Sequence, residues 1–213
     1  CGDADGAVTG NTRRFGASFE KIKQVVDVRK GEIMFGLNMI VHKGRTIFVG
    51  DTSVHEYPTS EQMAEIAIST ARVVRLFGFD PKVAFVSHST FGQPLTSRTK
   101  HIRSAVEILK EKKVDFEFDG DMQPDVALNP EYEELYPFAK IVGKANILIM
   151  PGQHSAAISY KLMKTIGDAK VIGPLLIGLG LPIEIAPLRS STSEILNLAS
   201  IAAYSADVID YKK

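Results

Sequence analysis

Short apolar or β-branched runs alternate with helix-patterned runs along most of this 213-residue chain, and few folds accommodate that alternation. Over residues 19–28, Phe19, Ile22, Val25 and Val26 recur at helical spacing. Residues 33–41 and 46–49 are joined by His42-Lys43-Gly44-Arg45, which predicts a hairpin. Residues 60–76 predict a helix capped by Thr59 or Ser60. Glu61 and Glu65 lie near its positive end, and Met63, Ile66, Ala67, Thr70, Val73 and Val74 form its inward stripe. Gly78 would end it. A buried strand over 82–87 precedes a second helix over 97–112, with Ile102, Ala105, Val106 and Leu109 inward. Strands are then expected over 114–118, 146–150, 170–172 and 183–186, and helices over 154–166 and 191–204. Residues 210–213 read as a frayed tail.

Strand, helix, strand, helix with short connections indicates a three-layer α/β/α fold with a mostly parallel sheet. Such sheets bind ligands beyond the carboxyl ends of their strands. The expected ends here are Ser87-His88-Ser89-Thr90, Asp119-Gly120-Asp121, Pro151-Gly152-Gln153-His154 and Gly173-Pro174. Polar residues and glycine gather there as a cleft requires, although turns gather the same residues for their own reasons.

The 25 basic and 25 acidic residues cancel, which argues against a general nucleic-acid or anionic-membrane binder. No apolar run reaches the roughly 18 residues of a membrane span. The single cysteine, Cys1, excludes a disulfide within the chain and is compatible with a cytoplasmic setting. The opening Cys1-Gly2-Asp3-Ala4-Asp5-Gly6 lacks the basic start and apolar core of a signal peptide. It reads like the middle of a fold, so a fragment of a longer protein is expected.

Residues 173–203 concentrate the candidate chemistry. A Gly/Pro-punctuated apolar loop leads into Ser190, Ser191, Thr192 and Ser193, then an apolar helix. Hydroxyls at a helix start beside Arg189 suit a phosphate or carboxylate. Arg189 and Glu194 could act together, with Glu194 orienting the arginine or serving as a base; the alternative is a surface ion pair. Thr9-Gly10-Asn11-Thr12-Arg13-Arg14 combines hydroxyls, glycine and arginine but lacks the Gly-Lys-Ser/Thr ending of a P-loop. Ser87 and Ser89 flank His88 without a nucleophile elbow, so they suit ligand contacts or capping better than a hydrolase triad. Arg98, Lys100, His101 and Arg103 oppose the dipole of their helix, which an anion would relieve, or form a solvated basic face. Asp119, Asp121 and Asp125 lack EF-hand spacing, and the histidines lack paired spacing, so no metal site is expected. Asp119 or Asp121 could orient a ligand or cap structure. His154 opens a helix at the presumed cleft.

Several of these segments resemble the phosphate acetyl/butyryltransferase family over nearly the whole chain. They are Gly2-Asp3-Ala4-Asp5-Gly6-Ala7-Val8-Thr9-Gly10, Gly50-Asp51-Thr52-Ser53-Val54, Pro58-Thr59-Ser60-Glu61-Gln62-Met63, Phe77-Gly78-Phe79-Asp80-Pro81, Phe118-Asp119-Gly120-Asp121-Met122-Gln123 and Gly173-Pro174-Leu175-Leu176-Ile177-Gly178. The run from Asp119 to Leu128 and residues 195–203 look most like the C-terminal domain of bacterial NADP-dependent malic enzymes.

The resemblance implies two α/β subdomains flanking a cleft, as in isocitrate and isopropylmalate dehydrogenases. Residues 1–28 with 175–213 would form one subdomain and 29–174 the other, and the chain would form a homodimer or higher homo-oligomer. It implies a coenzyme A or acetyl-CoA ligand, with NADP and a divalent metal confined to a catalytic half outside this chain. Thr9, Gly10, Arg13, Ser87, Ser89, Arg98, Arg103, Asp119, Gln123, His154 and Gly173 would line the cleft. Active transferases carry Ser-Arg-Gly ahead of an acidic residue and Ile. Aligned on Glu194-Ile195, those positions fall on Pro187, Leu188 and Arg189, so the arginine is one place out of register. Two family asparagines after Pro151 are replaced by His154 and Ala157. Regulatory binding is therefore expected ahead of catalysis by Glu194 and Arg189. An active acetyltransferase and a purely structural dimerisation module are the alternatives.

Overall fold

The computed structural model describes residues 3–209, so the tail expected to fray at 210–213 lies outside the described residues. The strongest helical pattern forms α2 (Ser60–Leu76). Thr59 Oγ1 accepts from Gln62 N, and Gln62 Oε1 accepts from Thr59 N, a reciprocal cap. Gly78 takes φ 82°, a left-handed turn that leads the chain off the helix. Thr59→Ala is expected to lower stability by about 1 kcal/mol. A denaturant midpoint equal to wild type would show that this cap contributes nothing.

The strands β2 (Phe35–His42) and β3 (Arg45–Gly50) form the expected hairpin. Lys43 (φ 46°) and Gly44 (φ 77°) make its two-residue turn, whose twist matches that of paired strands. The remaining elements are β1 (Ala7–Gly10), α1 (Phe15–Ile22), β4 (Lys82–Val86), α3 (Ser97–Lys112), β5 (Glu117–Met122), α4 (Pro124–Leu128), β6 (Ile147–Ile149), α5 (Gln153–Ile166), β7 (Lys170–Ile177), β8 (Ile183–Ala186) and α6 (Thr192–Val208).

The larger sheet has six strands in the order β5-β4-β6-β3-β2-β7. Only β2 runs against the other strands of this sheet. Strand alternation divides its apolar residues between two faces. Phe48, Val83, Phe85, Ile147 and Ile149 pack with α2 and α3. Val49, Ala84, Val86 and Leu148 pack with α4 and α5. The result is the three-layer, mostly parallel α/β arrangement expected from the sequence. A separate parallel pair, β1 with β8, joins α1 through Phe19, Ile22 and Ile185.

Three expectations are corrected. The first helix spans Phe15–Ile22 rather than 19–28, because Val28 bridges Leu179 and Asp27 O accepts from Gly180 N, drawing the chain out of the helix. The strand expected over 114–118 is β5, and it carries Asp119-Gly120-Asp121 inside it, next to a shift in its register with β4. Gly173-Pro174 likewise lies within β7, not at a strand end. Leu175 pairs with Leu37 and Ile172 with Met39, leaving both residues at an irregularity on an edge strand, where proline is tolerated. Strand β7, which contains residues 174 and 175, pairs with β2 on both sides of them.

Candidate ligand cleft at the strand ends

The chain after β3 is organised by one carboxylate. Asp51 is buried and accepts from the backbone N–H groups of Gly36, Ser53, Val54 and His55 at 2.7–3.2 Å. Its Oδ2 also meets His55 Nδ1 at 2.7 Å. Both residues went unassigned in the reading of the sequence. Gly50-Asp51-Thr52 resembles any polar strand end, and nothing in its spacing says that four amides converge on one side chain.

At the ends of β4 and β5, Ser89 donates to Asp121 Oδ2, and Ser89 N donates to Ser87 Oγ at 3.2 Å. Asp121 is fully buried and its Oδ1 has no partner among the described residues. Gln123 Nε2 donates to the carbonyl of His88 at 2.8 Å, tying the two strand ends together. Asp119 stands apart: its oxygens accept from Gly120 N and Lys140 N, so it braces a loop.

Arg98 lies near the start of α3, whose first turn carries no acidic residue. Its guanidinium sits 5.6 Å from the centre of the exposed Tyr57 ring, a cation–π distance. His101 joins the N-termini of α2 and α3, with Nδ1 3.0 Å from Ser60 Oγ and Nε2 2.8 Å from the carbonyl of Pro58. Tyr57, Thr59, Arg98, His101 and Pro151 line a cavity of about 330 Å³. His154 stands beside it, with its ring 6.0 Å from that of Tyr57 and its Nε2 2.9 Å from Glu56 Oε1. Arg103 points elsewhere, against the loop at Gly92, where an added Cβ would come within 2.6 Å of its guanidinium.

The loops after β1 and β8 run side by side. Asn11 N donates to the carbonyl of Ala186 and Arg189 N to that of Asn11. This brings the Thr9-Gly10-Asn11-Thr12-Arg13 segment next to Arg189, although 175 positions or more separate them in sequence. Arg13 and Arg189 are both exposed.

Gly173 and Glu194 share a smaller cavity of about 170 Å³ with Tyr160, Lys161, Lys164 and Ser190. Glu194 is heavily occupied. Its Oε1 accepts from Lys164 Nζ at 2.8 Å, and its Oε2 accepts from Ser191 N and Ser191 Oγ in a capping box. The Lys164 hydrogen bond, with the Ser191 amide, holds its carboxyl below the usual carboxylate range. Such a group is an ionised cap and a weak proton acceptor. The residues expected in one cleft thus fall into four groups, with Asp119 and Arg103 outside them.

The phosphate acetyl/butaryl transferase family model matches residues 1–203. This chain belongs to that family. A solved phosphotransacetylase from Streptococcus pyogenes superposes with a TM-score of 0.90 at 30% identity, covering 96% of this chain and 63% of that one. A curated NADP-dependent malic enzyme of Rhizobium meliloti is 45% identical over 205 residues, which are 96% of this chain and 27% of the relative. A phosphate acetyltransferase of Bacillus subtilis is 31% identical over 207 residues, 96% of this chain and 64% of the relative. The chain therefore spans about a quarter of the malic enzyme and just under two thirds of the acetyltransferase. Among the described residues no helix is long and apolar enough to cross a membrane.

Proposed function

We propose that this chain is the phosphotransacetylase-like portion of a malic enzyme, binding coenzyme A or acetyl-CoA as a regulatory ligand and contributing to homo-oligomer assembly. The observation that carries the reading is the state of Glu194. It sits at the family's acidic position, yet it is bound as a helix cap and to Lys164. The arginine of the family motif is displaced to Arg189, whose backbone is held by Asn11. Hydroxyls and cations suited to a phosphate-bearing ligand remain at the strand ends, with Arg98 over an aromatic ring. The 45% identity to an NADP-dependent malic enzyme supports the malic setting. NADP and a divalent metal would belong to the remainder of such an enzyme, and the single cysteine of this chain is compatible with a cytoplasmic setting.

Regulation in this reading is differential binding: acetyl-CoA stabilises one quaternary state and shifts malic activity accordingly. An exposed apolar stripe on α5, with Ile158 60%, Leu162 52% and Ile166 81% exposed, supports assembly. The test is calorimetric titration of the protein carrying this chain with acetyl-CoA, alongside malic activity and light scattering. Saturable binding with a change in malic activity is expected; absence of both would overturn the reading.

Active acetyl transfer is the second reading, favoured by survival of a carboxylate at Glu194. It is read by acetyl-CoA formation from acetyl phosphate and coenzyme A. We expect rates at background, unchanged by Glu194→Gln. A measurable rate that falls by about a hundredfold or more in that variant would establish the second reading instead.

A further inference from the structure

We propose that the Lys164–Glu194 ion pair is a latch across the cavity at Gly173, and that a ligand phosphate opens it by taking Lys164 in place of Glu194. The proposal deepens the coenzyme A reading above and rests on it for the ligand.

The pair joins two helices that are anchored apart. On α5, Ala156, Tyr160 and Met163 pack into the apolar cluster on one face of the six-stranded sheet. On α6, Ile195, Leu198 and Ile201 pack into the cluster on the other face. Among the described residues, the contact from Lys164 Nζ to Glu194 Oε1 at 2.8 Å is the only hydrogen bond or ion pair between these helices. Both residues line the cavity of about 170 Å³, together with Lys161, Ser190 and Asn197. That volume is below the roughly 300 Å³ at which sites begin to enclose a whole ligand, so it suits one group of a larger molecule. Its charged lining is two lysines and one carboxylate, and Lys161 has no carboxylate partner among the described residues. Ammonium groups beside a hydroxyl and an amide suit a phosphate.

The exchange of partners is physically easy. The side chains of Lys164 and Glu194 are 51% and 34% exposed, and an ion pair so open to solvent is weak. Glu194 is not stranded when Lys164 leaves. Its Oε2 keeps Ser191 N at 2.8 Å and Ser191 Oγ at 3.0 Å, at a helix N-terminus that favours a carboxylate. Lys164 gains a partner that carries up to about two charges in place of one. Occupancy then replaces a direct α5–α6 link by one through the ligand, the differential contact that a regulatory ligand requires.

The experiment is a double-mutant cycle on the protein carrying this chain, with Kd measured by calorimetry for coenzyme A and for inorganic phosphate. Glu194→Gln retains an acceptor for the Ser191 cap and should tighten coenzyme A about fivefold, because the competing charge is gone. Lys164→Met should weaken it about tenfold or more, and Lys164→Gln serves if that variant does not fold. In the Lys164 variant, Glu194→Gln should change Kd by less than about twofold. Equal tightening by Glu194→Gln in both backgrounds, or an unchanged Kd in the Lys164 variant, marks a plain surface pair. Seen with every ligand that binds, it overturns the latch and leaves coenzyme A binding standing. The expected cycle seen with inorganic phosphate alone keeps the latch and assigns it to the free ion. No binding of coenzyme A overturns the coenzyme A reading, and no binding of either ligand overturns both.

Discussion

Glu184→Gln is expected to stabilise the protein at pH 8 and above and to change little at pH 5. Glu184 is fully buried on β8 and accepts from Leu176 N at 3.0 Å. Burial pushes its carboxyl from the ordinary 4.5 up to about 8, only partly offset by that one amide. The sign follows from which state holds the proton. Between 4.5 and about 8 the folded chain keeps the proton while the unfolded chain releases it, so stability falls as pH rises through that window and levels off above it. The full span corresponds to a few kcal/mol, ~5 at most. Glutamine retains an acceptor for Leu176 N and has no charge to bury. Thermal melting of wild type and variant across pH 4.5 to roughly 9 measures the effect. Parallel curves for the two proteins would show that Glu184 is not protonated in the fold.

Asp51→Ala should be the most damaging single change at the strand ends. It removes the acceptor for four backbone N–H groups, those of Gly36, Ser53, Val54 and His55, without bringing a replacement. Buried donors without partners each cost about 1–3 kcal/mol, reduced where the loop relaxes toward water. A loss of about 3–5 kcal/mol is expected, visible as a lower denaturant midpoint, with ligand affinity falling as the His55 loop loses its anchor. Asp119→Ala is the comparison. It removes a carboxylate that accepts from Gly120 N and Lys140 N near the surface, and about 1 kcal/mol is expected. Equal losses in the two variants would remove Asp51 from its central place in this face of the sheet.

The layers of the fold were legible because their signals are local. Periodicity and caps placed α2 and α3 at their observed bounds, and β-branched runs flanking Lys43-Gly44 marked the hairpin. Errors arose where tertiary pairing overrode a local signal. Asp119-Gly120-Asp121 and Gly173-Pro174 look like turns, yet β4 and β2 hold them within strands. Val25 and Val26 continue a helical period, yet the following chain is drawn into a bridge with Leu179. The candidate site was legible in its residue types and less so in its partnerships. Lys164 signals nothing in sequence, but it fixes the state of Glu194 from a different helix.

By itself the sequence determined the α/β class, the family and the residue types available at the strand ends, because helical period, strand alternation and motif order are properties of neighbours along the chain. Only the tertiary structure decided which groups are free to act. It closed Glu194 into a cap and an ion pair, set Arg189 beside Asn11, buried Glu184, and joined Asp51 to His55. Protonation and reactivity depend on burial and on hydrogen-bond partners brought from distant positions, and those exist only once the chain has folded.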